Sequence, residues 1–584
     1  MTRLRALFPT LLLAAACATP SPQPSQRDPA DGAGDVPKRL VIVGINDVHG
    51  ALLAAAAPRS LSAWTSDPVG GAEWLGGWMD AIRRDARDRG GEALLIDAGD
   101  AFQGTLISNQ FQGRSVVDAF NALGVAAAAV GNHEFDFGLP VLLERMQQAR
   151  YPILSANVFK KGTRERPDWA KPSVLLDVRG LKVGVIGLTT VDTPTVTNPL
   201  IVQDLEFAPG GPVAAQESES LRARGATVVI VAAHAGPFPP SEEIQHIAES
   251  VKGKVDAIVS GHHHTTLGPP PLIVAGIPIV QAGTKLQLFS VIELKILDPG
   301  YVGGFTVNQG TFPNPGAPQP LFHSYLGKPP RWRGREILPD AQVAALLAGY
   351  DEQVRRLRDS RIGSSQMDLR KGRDGSLGNL VADALRSGVG GGLPARFALQ
   401  NSGGLRVAEV PRGPITFGQI FDLYPFDNQQ VVVQVSAPAI RDALETVLRA
   451  GKLPLQVSGL RYTIDWDRFA ALGADRAAWP AGAIVTEVTD ETGNTLCRTL
   501  SCVRSACDAS CAQGSYAVSV SDFLANGGDG LSMFKDAPRQ VGSVLTRDLV
   551  MSYVKLHDPI TPSLVDSGHP RIRVNGTPRR VQAE

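Results

Sequence analysis

From about residue 39 to residue 290, short apolar runs alternate with amphipathic stretches, and most of the runs end directly in a polar cluster containing His, Asp or Asn. The runs are Leu40–Ile45, Ala93–Ile96, Ala126–Val130, Val183–Leu188, Thr227–Ala232 and Val255–Val259, and stretches such as Ala72–Arg87 and Pro140–Gln148 read as helices between them. This is the pattern of βαβ units whose strands are buried on both faces. In open α/β sheets ligands bind beyond the carboxyl ends of the strands, so the polar clusters are expected to converge at one edge.

Five clusters carry the chemistry: Asn46-Asp47-Val48-His49-Gly50, Gly99-Asp100-Ala101-Phe102-Gln103-Gly104, Gly131-Asn132-His133-Glu134-Phe135-Asp136, His234-Ala235-Gly236 and Gly261-His262-His263-His264. Carboxylate, imidazole and amide oxygen suit a divalent cation, and a set without thiolate does not resemble a closed structural zinc site. A carboxylate can bridge two cations, and two ions roughly 3.5–4 Å apart can hold a hydroxide between them and clamp a phosphoryl group. On an extended segment Asp47 and His49 share one face, as do His262 and His264, which turns His263 away. His246, His323, His557 and His569 lack such neighbours and read as ordinary surface or core residues.

The second half is organised differently. Residues 300–338 are rich in Pro and Gly. Asp340 then caps an expected helix, with Val343, Leu346, Leu347, Tyr350, Val354 and Leu357 as its apolar stripe. A helix over 339–359 would join a first domain at 38–335 to a second at 360–575, where Leu377–Arg386 reads as helix and Gln430–Val435 and Ser458–Ile464 read as strands. Three segments of the second domain stand out: Lys371-Gly-Arg373-Asp-Gly-Ser-Leu-Gly378-Asn379, Asn401-Ser-Gly403-Gly404-Leu-Arg406 and Phe523-Leu-Ala-Asn526-Gly527-Gly528-Asp529-Gly530. A Gly-Gly turn lets backbone amides approach a ligand, and Arg offers a planar fork for phosphate. Phe426, in Tyr424-Pro425-Phe426-Asp427-Asn428, and Phe523 could sandwich a base, and Asp529 could accept hydrogen bonds from ribose hydroxyls.

The ordered clusters resemble the calcineurin-like metallophosphoesterases, and Asn-Asp-x-His-Gly, Gly-Asp-x-x-Gln-Gly and Gly-Asn-His-Glu-Phe-Asp resemble the 5′-nucleotidase family among them, over nearly the whole span from 39 to 575. The resemblance implies a four-layer α/β metallophosphoesterase domain followed by an α/β nucleotide-recognition domain. It implies two divalent ions. Asp47, His49 and His264 would hold the first, Asp100 would bridge, and Asn132, His234 and His262 would hold the second; zinc, manganese and cobalt all suit these donors. It implies that His133 faces the substrate and that Asp136 orients it. In the second domain it implies Phe426 and Phe523 as a base clamp, Asp529 on the sugar, Arg406 with Asn401 on phosphate, and Lys371 or Arg373 as a further phosphate contact; Gly403, Gly404 and Asn428 belong to the same loops. The activity implied is release of phosphate from nucleoside 5′-phosphates. A UDP-sugar, a 2′,3′-cyclic nucleotide or NAD as substrate, a non-catalytic nucleotide-binding lipoprotein, and a hydrolase of sulfur compounds stand as alternatives.

The first residues read as an address. Met1–Arg5 is basic, Ala6–Ala16 is a short apolar run broken by Pro9, and Cys17 follows three alanines. This reads as a lipoprotein-type signal at 1–17 with Cys17 as the lipidated residue, followed by a flexible tether at 18–37. The expected location is therefore the periplasm or cell envelope, with the membrane reached only through the lipid anchor. Cys497, Cys502, Cys507 and Cys511 remain, and in an exported chain they suggest two disulfides in one of three pairings rather than zinc ligands. Formal net charge is zero, with 57 basic and 57 acidic residues, which disfavours a nucleic-acid binder acting through a global basic field. A monomer is expected.

Overall fold

Two sheets stacked face to face build the N-terminal half. In the computed structural model, which describes residues 36–58, 61–237, 243–268, 270–297, 301–307, 318–471, 480–503, 506–566 and 568–576, the first sheet runs Tyr301–Val307, Leu288–Leu297, Arg39–Ile45, Gly91–Asp97, Val125–Ala129, Ile153–Leu154. The second runs Leu272–Val274, Ile277–Val280, Ala257–Ser260, Val228–His234, Leu181–Thr189, Ser173–Val178. The expected leader, Cys17 and nearly all of the tether lie outside the described residues.

Each sheet has a parallel centre. Arg39–Ile45 pairs in parallel with Gly91–Asp97, and that strand with Val125–Ala129. Leu181–Thr189, Val228–His234 and Ala257–Ser260 are likewise parallel neighbours. Between the sheets Leu40, Ile42 and Ile96 pack with Val183, Val185, Ile230 and Val259. On the outer faces Leu75, Met79, Val117 and Phe120 of two helices cover the first sheet, and Ala214, Leu221, Ile244 and Ile247 cover the second. The result is four layers, helix–sheet–sheet–helix. Strands clothed on both sides must be apolar on both sides, which is why they read as unbroken apolar runs. Gly44 marks a close approach of the sheets: a Cβ there would lie 2.8 Å from Val259 Cγ1.

The joining helix is Ala341–Arg358. Asp340 caps it, accepting from the backbone N–H groups of Gln342 at 2.8 Å and Val343 at 3.1 Å. Val343, Leu347 and Val354 are buried, whereas Leu357 is exposed, so the stripe stops a turn short of the expected end. Val354 meets Leu106, Ile107 and Phe421 in a small apolar joint between the two halves. Asp340→Ala is expected to cost about 1 kcal/mol, the usual loss of an N-cap, seen as a small fall in Tm with metal content unchanged.

The C-terminal half holds two five-stranded mixed sheets. One is centred on Ser515–Ser521 between Phe397–Gln400 and Gln429–Ser436, and the other on Val485–Asp490 between Thr495–Val503 and Leu460–Asp465. The expected strand Ser458–Ile464 is broken at Gly459, whose φ is 80°. The last described strand, Ile572–Asn575, lies parallel to Leu460–Asp465. The four cysteines pair as Cys497–Cys511 and Cys502–Cys507 across the hairpin of Thr495–Val503 and Ala506–Cys511. No described helix is long and apolar enough to cross a membrane.

Candidate metal centre

All five clusters lie at or just beyond the carboxyl ends of parallel strands, on one edge of the stacked sheets. The means differ from the sequence expectation. Asp47 and His49 do not alternate along an extended segment, nor do His262 and His264. Asp47 (φ 48°), His49 (49°), Asp100 (58°), His262 (81°) and His264 (53°) are all left-handed. The strands have ended, and each loop curls so that its side chains turn inward. Non-glycine residues rarely adopt this backbone, and such residues gather at functional sites.

The side chains assemble into two groups. One oxygen or nitrogen from each of Asp47, His49 and His264 lies within 4.8 Å of the others, and the same holds for Asp100, His234 and His262. His49 Nε2 is 2.9 Å from His264 Nε2, and His264 Nε2 is 3.5 Å from Asp47 Oδ1. In the second group His234 Nε2 is 3.0 Å from Asp100 Oδ2 and 3.2 Å from Asn132 Oδ1, so the Asn132 amide joins it. Asp100 Oδ2 also comes within 4.0 Å of His49 Nε2, which places this carboxylate between the groups. His263 packs over Gly236, outside both groups.

The donors fit divalent cations. His49 Nδ1 is bonded to the Gln103 carbonyl at 2.8 Å and His234 Nδ1 to that of Ala98 at 2.9 Å, so Nε2 of each ring faces the cluster. Metal-ligating histidines are oriented in this way. Burial, and then the Arg406 guanidinium, hold His49 and His264 well below the usual imidazole range, while burial and His234 do the same for His262. These rings stay neutral, with lone pairs to offer. Burial opposes charge on His234 too, yet Asp100 beside it pushes its pKa up to about 10. The carboxylates thus draw positive charge into a buried site, the environment a cation needs.

Two residues outside the expected set hold the loops in register. Glu134 accepts from the N–H groups of Asp100 (2.8 Å), Ala101 (2.7 Å) and Gly131 (2.7 Å), binding two ligand loops together. Asn46 donates to the Gly283 carbonyl at 2.7 Å and accepts from Ala282 N–H at 2.8 Å. Both stand inside the sequence clusters, and that proximity is the only signal the sequence offers for them. Gly131 must lack a side chain, because a Cβ would lie 2.2 Å from Asp100 Oδ1.

His133 stands beside the centre. Its N–H donates to Asp100 Oδ1 at 2.8 Å, and its Nδ1 is 2.6 Å from Asp136 Oδ2. Burial lowers its pKa, but Asp136 and Asp100 outweigh that, and the net shift is upward.

The C-terminal half meets the centre directly. An Arg406 Nη2–H group donates to His49 Nε2 at 2.8 Å, and the Arg406 guanidinium lies 5.7 Å from the centre of the Phe426 ring. Phe426 stands 5.7 Å from the His133 ring at an interplanar angle of 30°. Asn401 donates to Asp529 Oδ2 at 2.7 Å, which sets its amide on the acid of the third segment, and Lys452 takes Asp529 Oδ1 at 2.6 Å. The Phe523 ring closes on Gly528. Gly404 is buried and Gly403 exposed in the turn after Asn401. The Asn428 side chain meets the Tyr424 hydroxyl. Of the two basic candidates, Lys371 acts on Lys285 together with Arg406, whereas Arg373 acts on the buried Tyr462.

Lys285 escaped the sequence reading because it lies outside all five clusters, past the short strand Ile277–Val280, which no His or Asp directly follows. Its N–H bonds the Asp47 carbonyl at 2.8 Å and its ammonium donates to the Arg406 carbonyl at 2.8 Å, joining a ligand loop to a loop of the other domain. Burial lowers its pKa to about 8, with Asp422 opposing. Lys285→Met is expected to lower kcat/KM about tenfold, the cost of one hydrogen bond to a charged group. Metal content should not change, and metal analysis beside steady-state kinetics checks both.

A family model for calcineurin-like phosphoesterases matches residues 40–266, and one for the C-terminal domain of 5′-nucleotidases matches residues 356–536. The chain is 29% identical over 567 residues to the snake venom 5′-nucleotidase of Gloydius brevicauda, covering 90% of this chain and 87% of that one. It is 24% identical over 573 residues to the cell wall protein Lmo0130 of Listeria monocytogenes, covering 88% of this chain and 67% of that one. The crystal structure of a 5′-nucleotidase precursor from Thermus thermophilus superposes with a TM-score of 0.73 at 27% identity, over 92% of this chain and 100% of the other. Fold and centre together define a metallophosphoesterase, a hydrolase of the calcineurin-like class. Within that class the chain belongs to the 5′-nucleotidase family.

Proposed function

We propose that this chain is an exported phosphohydrolase that releases phosphate from nucleoside 5′-phosphates at a centre of two divalent ions. The observation that carries this reading is the meeting of Arg406 and Phe426 from the C-terminal half with His49 and His133 from the N-terminal half. A phosphate-directed guanidinium and an aromatic platform sit over a clustered His/Asp centre, which is the arrangement a nucleotide requires.

In this reading Asp47, His49 and His264 hold one ion, Asn132, His234 and His262 the other, and Asp100 serves both. Zinc, manganese or cobalt in these positions supplies Lewis acidity toward phosphoryl oxygens and lowers the pKa of water. The chain does the rest. Asp136 fixes the proton of His133 on Nδ1, so that a protonated ring presents Nε2–H to charge developing on the phosphoryl group. Arg406 leaves His49 for the phosphate as a two-pronged donor, and Lys371 or Arg373 adds positive charge behind it. Asn401 joins Arg406 on the phosphate side while its amide donates to Asp529, the acid for the ribose. Phe426, in the loop that ends at Asn428, and Phe523 take the base between them, and the Gly403-Gly404 turn brings backbone amides to the ligand. No covalent phospho-enzyme is needed.

The export signal at 1–17, lipidation at Cys17, the periplasm or envelope as location, a monomeric state and the absence of nucleic-acid partners belong to the same proposal. A relative that bears the name of a cell wall protein supports an envelope location.

The test is substrate discrimination. Phe523→Ala is expected to raise KM for AMP roughly tenfold, since base stacking is worth ~1–3 kcal/mol per base. KM for p-nitrophenyl phosphate should not move. Equal effects on both substrates would remove the base clamp from the account. A panel of AMP, ATP, UDP-glucose and 2′,3′-cyclic AMP then ranks the alternatives, with AMP expected first.

A further inference from the structure

Asp136 has two carboxylate oxygens, and His133 uses one. Oδ2 meets His133 Nδ1 at 2.6 Å, while Oδ1 accepts from the hydroxyl of Thr197 at 2.9 Å. Thr197 is only 2% exposed and directly follows the short helix Thr193–Val196. Its own N–H is bonded to the Thr193 carbonyl at 3.0 Å, so the hydroxyl points from an anchored backbone. Upstream the segment is pinned again: Thr190 donates to Glu243 Oε2 at 2.8 Å, and Thr193 donates to the Thr190 carbonyl at 2.8 Å.

The same segment has a second neighbour. Helix Thr193–Val196 packs against the turn Gly528–Gly530, which carries Asp529. Burial raises the pKa of Asp192, and Lys452, the partner of Asp529, opposes that shift. The support of the His133–Asp136 pair is thus held between the N-terminal domain and the turn beneath the sugar-directed acid.

A carboxylate on a single hydrogen bond can rotate about its last torsion, whereas one held at both oxygens cannot. We propose that Thr197 is a positioning residue for the hydrolysis: its hydroxyl locks the Asp136 carboxylate, which in turn holds the His133 ring with Nε2 toward the reacting phosphoryl group. Thr197 touches neither substrate nor ligand groups in this assignment and acts only through Asp136. The inference rests on the role given to His133 above.

The experiment is a double-mutant cycle on the metal-loaded full chain with AMP, using Thr197→Val, Thr197→Ser, His133→Ala and the double variant His133→Ala/Thr197→Val. Valine keeps the shape and removes the donor, and serine keeps the donor. Thr197→Val is expected to lower kcat about tenfold, the loss of one hydrogen bond to a charged group. KM and metal content should stay at their wild-type values, and Tm should fall by only a few degrees. Thr197→Ser should restore kcat to within about twofold, and Thr197→Val should cost less than about twofold in the His133→Ala background, because interactions that act through one residue are not additive. Wild-type turnover in His133→Ala would overturn the role of His133, and the inference with it. An impaired His133→Ala that loses a further tenfold on Thr197→Val would leave His133 in place and overturn the role of Thr197, as would a serine variant no better than valine.

Discussion

Asp100→Ala is expected to abolish phosphate release, by at least about a thousandfold, or ~4 kcal/mol of transition-state stabilisation. The size follows from position. Asp100 Oδ2 is 3.0 Å from His234 Nε2 in one ligand group and 4.0 Å from His49 Nε2 in the other, so one substitution disarms both. Its other oxygen accepts from His133 N–H at 2.8 Å. Asp100→Asn keeps that acceptor and the side-chain volume but removes the charge. It should therefore fold as the wild type does and still lose nearly all activity, with bound metal falling from two ions toward one or none. Metal analysis and thermal unfolding, run on both variants, separate loss of the centre from loss of the fold. An Asn variant that keeps two ions and wild-type turnover would contradict the bridging assignment.

His133→Ala should lower kcat by about a hundredfold or more, within the range for a positioned acid–base group, while metal content stays at the wild-type level. His133 bonds Asp100 through its backbone, which alanine retains. Its ring bonds Asp136 and lies beside Phe426. The pH dependence has a definite sign. Asp136 and Asp100 raise the pKa of His133 against burial, so the protonated ring persists to higher pH than a free imidazole would. Asp136→Asn removes part of that support. The alkaline limb of kcat should then shift to lower pH, and a shift to higher pH would refute the role of Asp136. If metal loss accounts for the whole defect of His133→Ala, the ring is a structural part of the centre and has no direct role in turnover.

Much of this site was legible because parallel strands are buried on both faces. An apolar run that stops abruptly at His or Asp marks where a strand leaves the core, and the candidate ligands on both sheets share that signature. The way they meet was not legible. Alternation on an extended segment correctly grouped His49 with Asp47 but for the wrong reason, since a left-handed backbone at both residues makes the approach. Backbone sign is set by tertiary packing and leaves no trace in a hydrophobic pattern. Glu134 and Asn46 could be suspected only from the company they keep. Lys285 and Thr197 act across long sequence separations from positions with no local pattern, so only the folded chain brings them to the site. The disulfide pairing was open among three possibilities, and the hairpin register at Cys497–Cys511 and Cys502–Cys507 decides it.

The most direct test of the account is phosphate release from AMP by metal-stripped protein, followed as manganese or zinc is added back and bound metal is counted. Activity is expected to be absent without metal, to rise as the second ion per chain is bound, and to be restored in the wild type but not in Asp100→Asn. Two tightly bound ions with no phosphate released from AMP or any other nucleotide would contradict it.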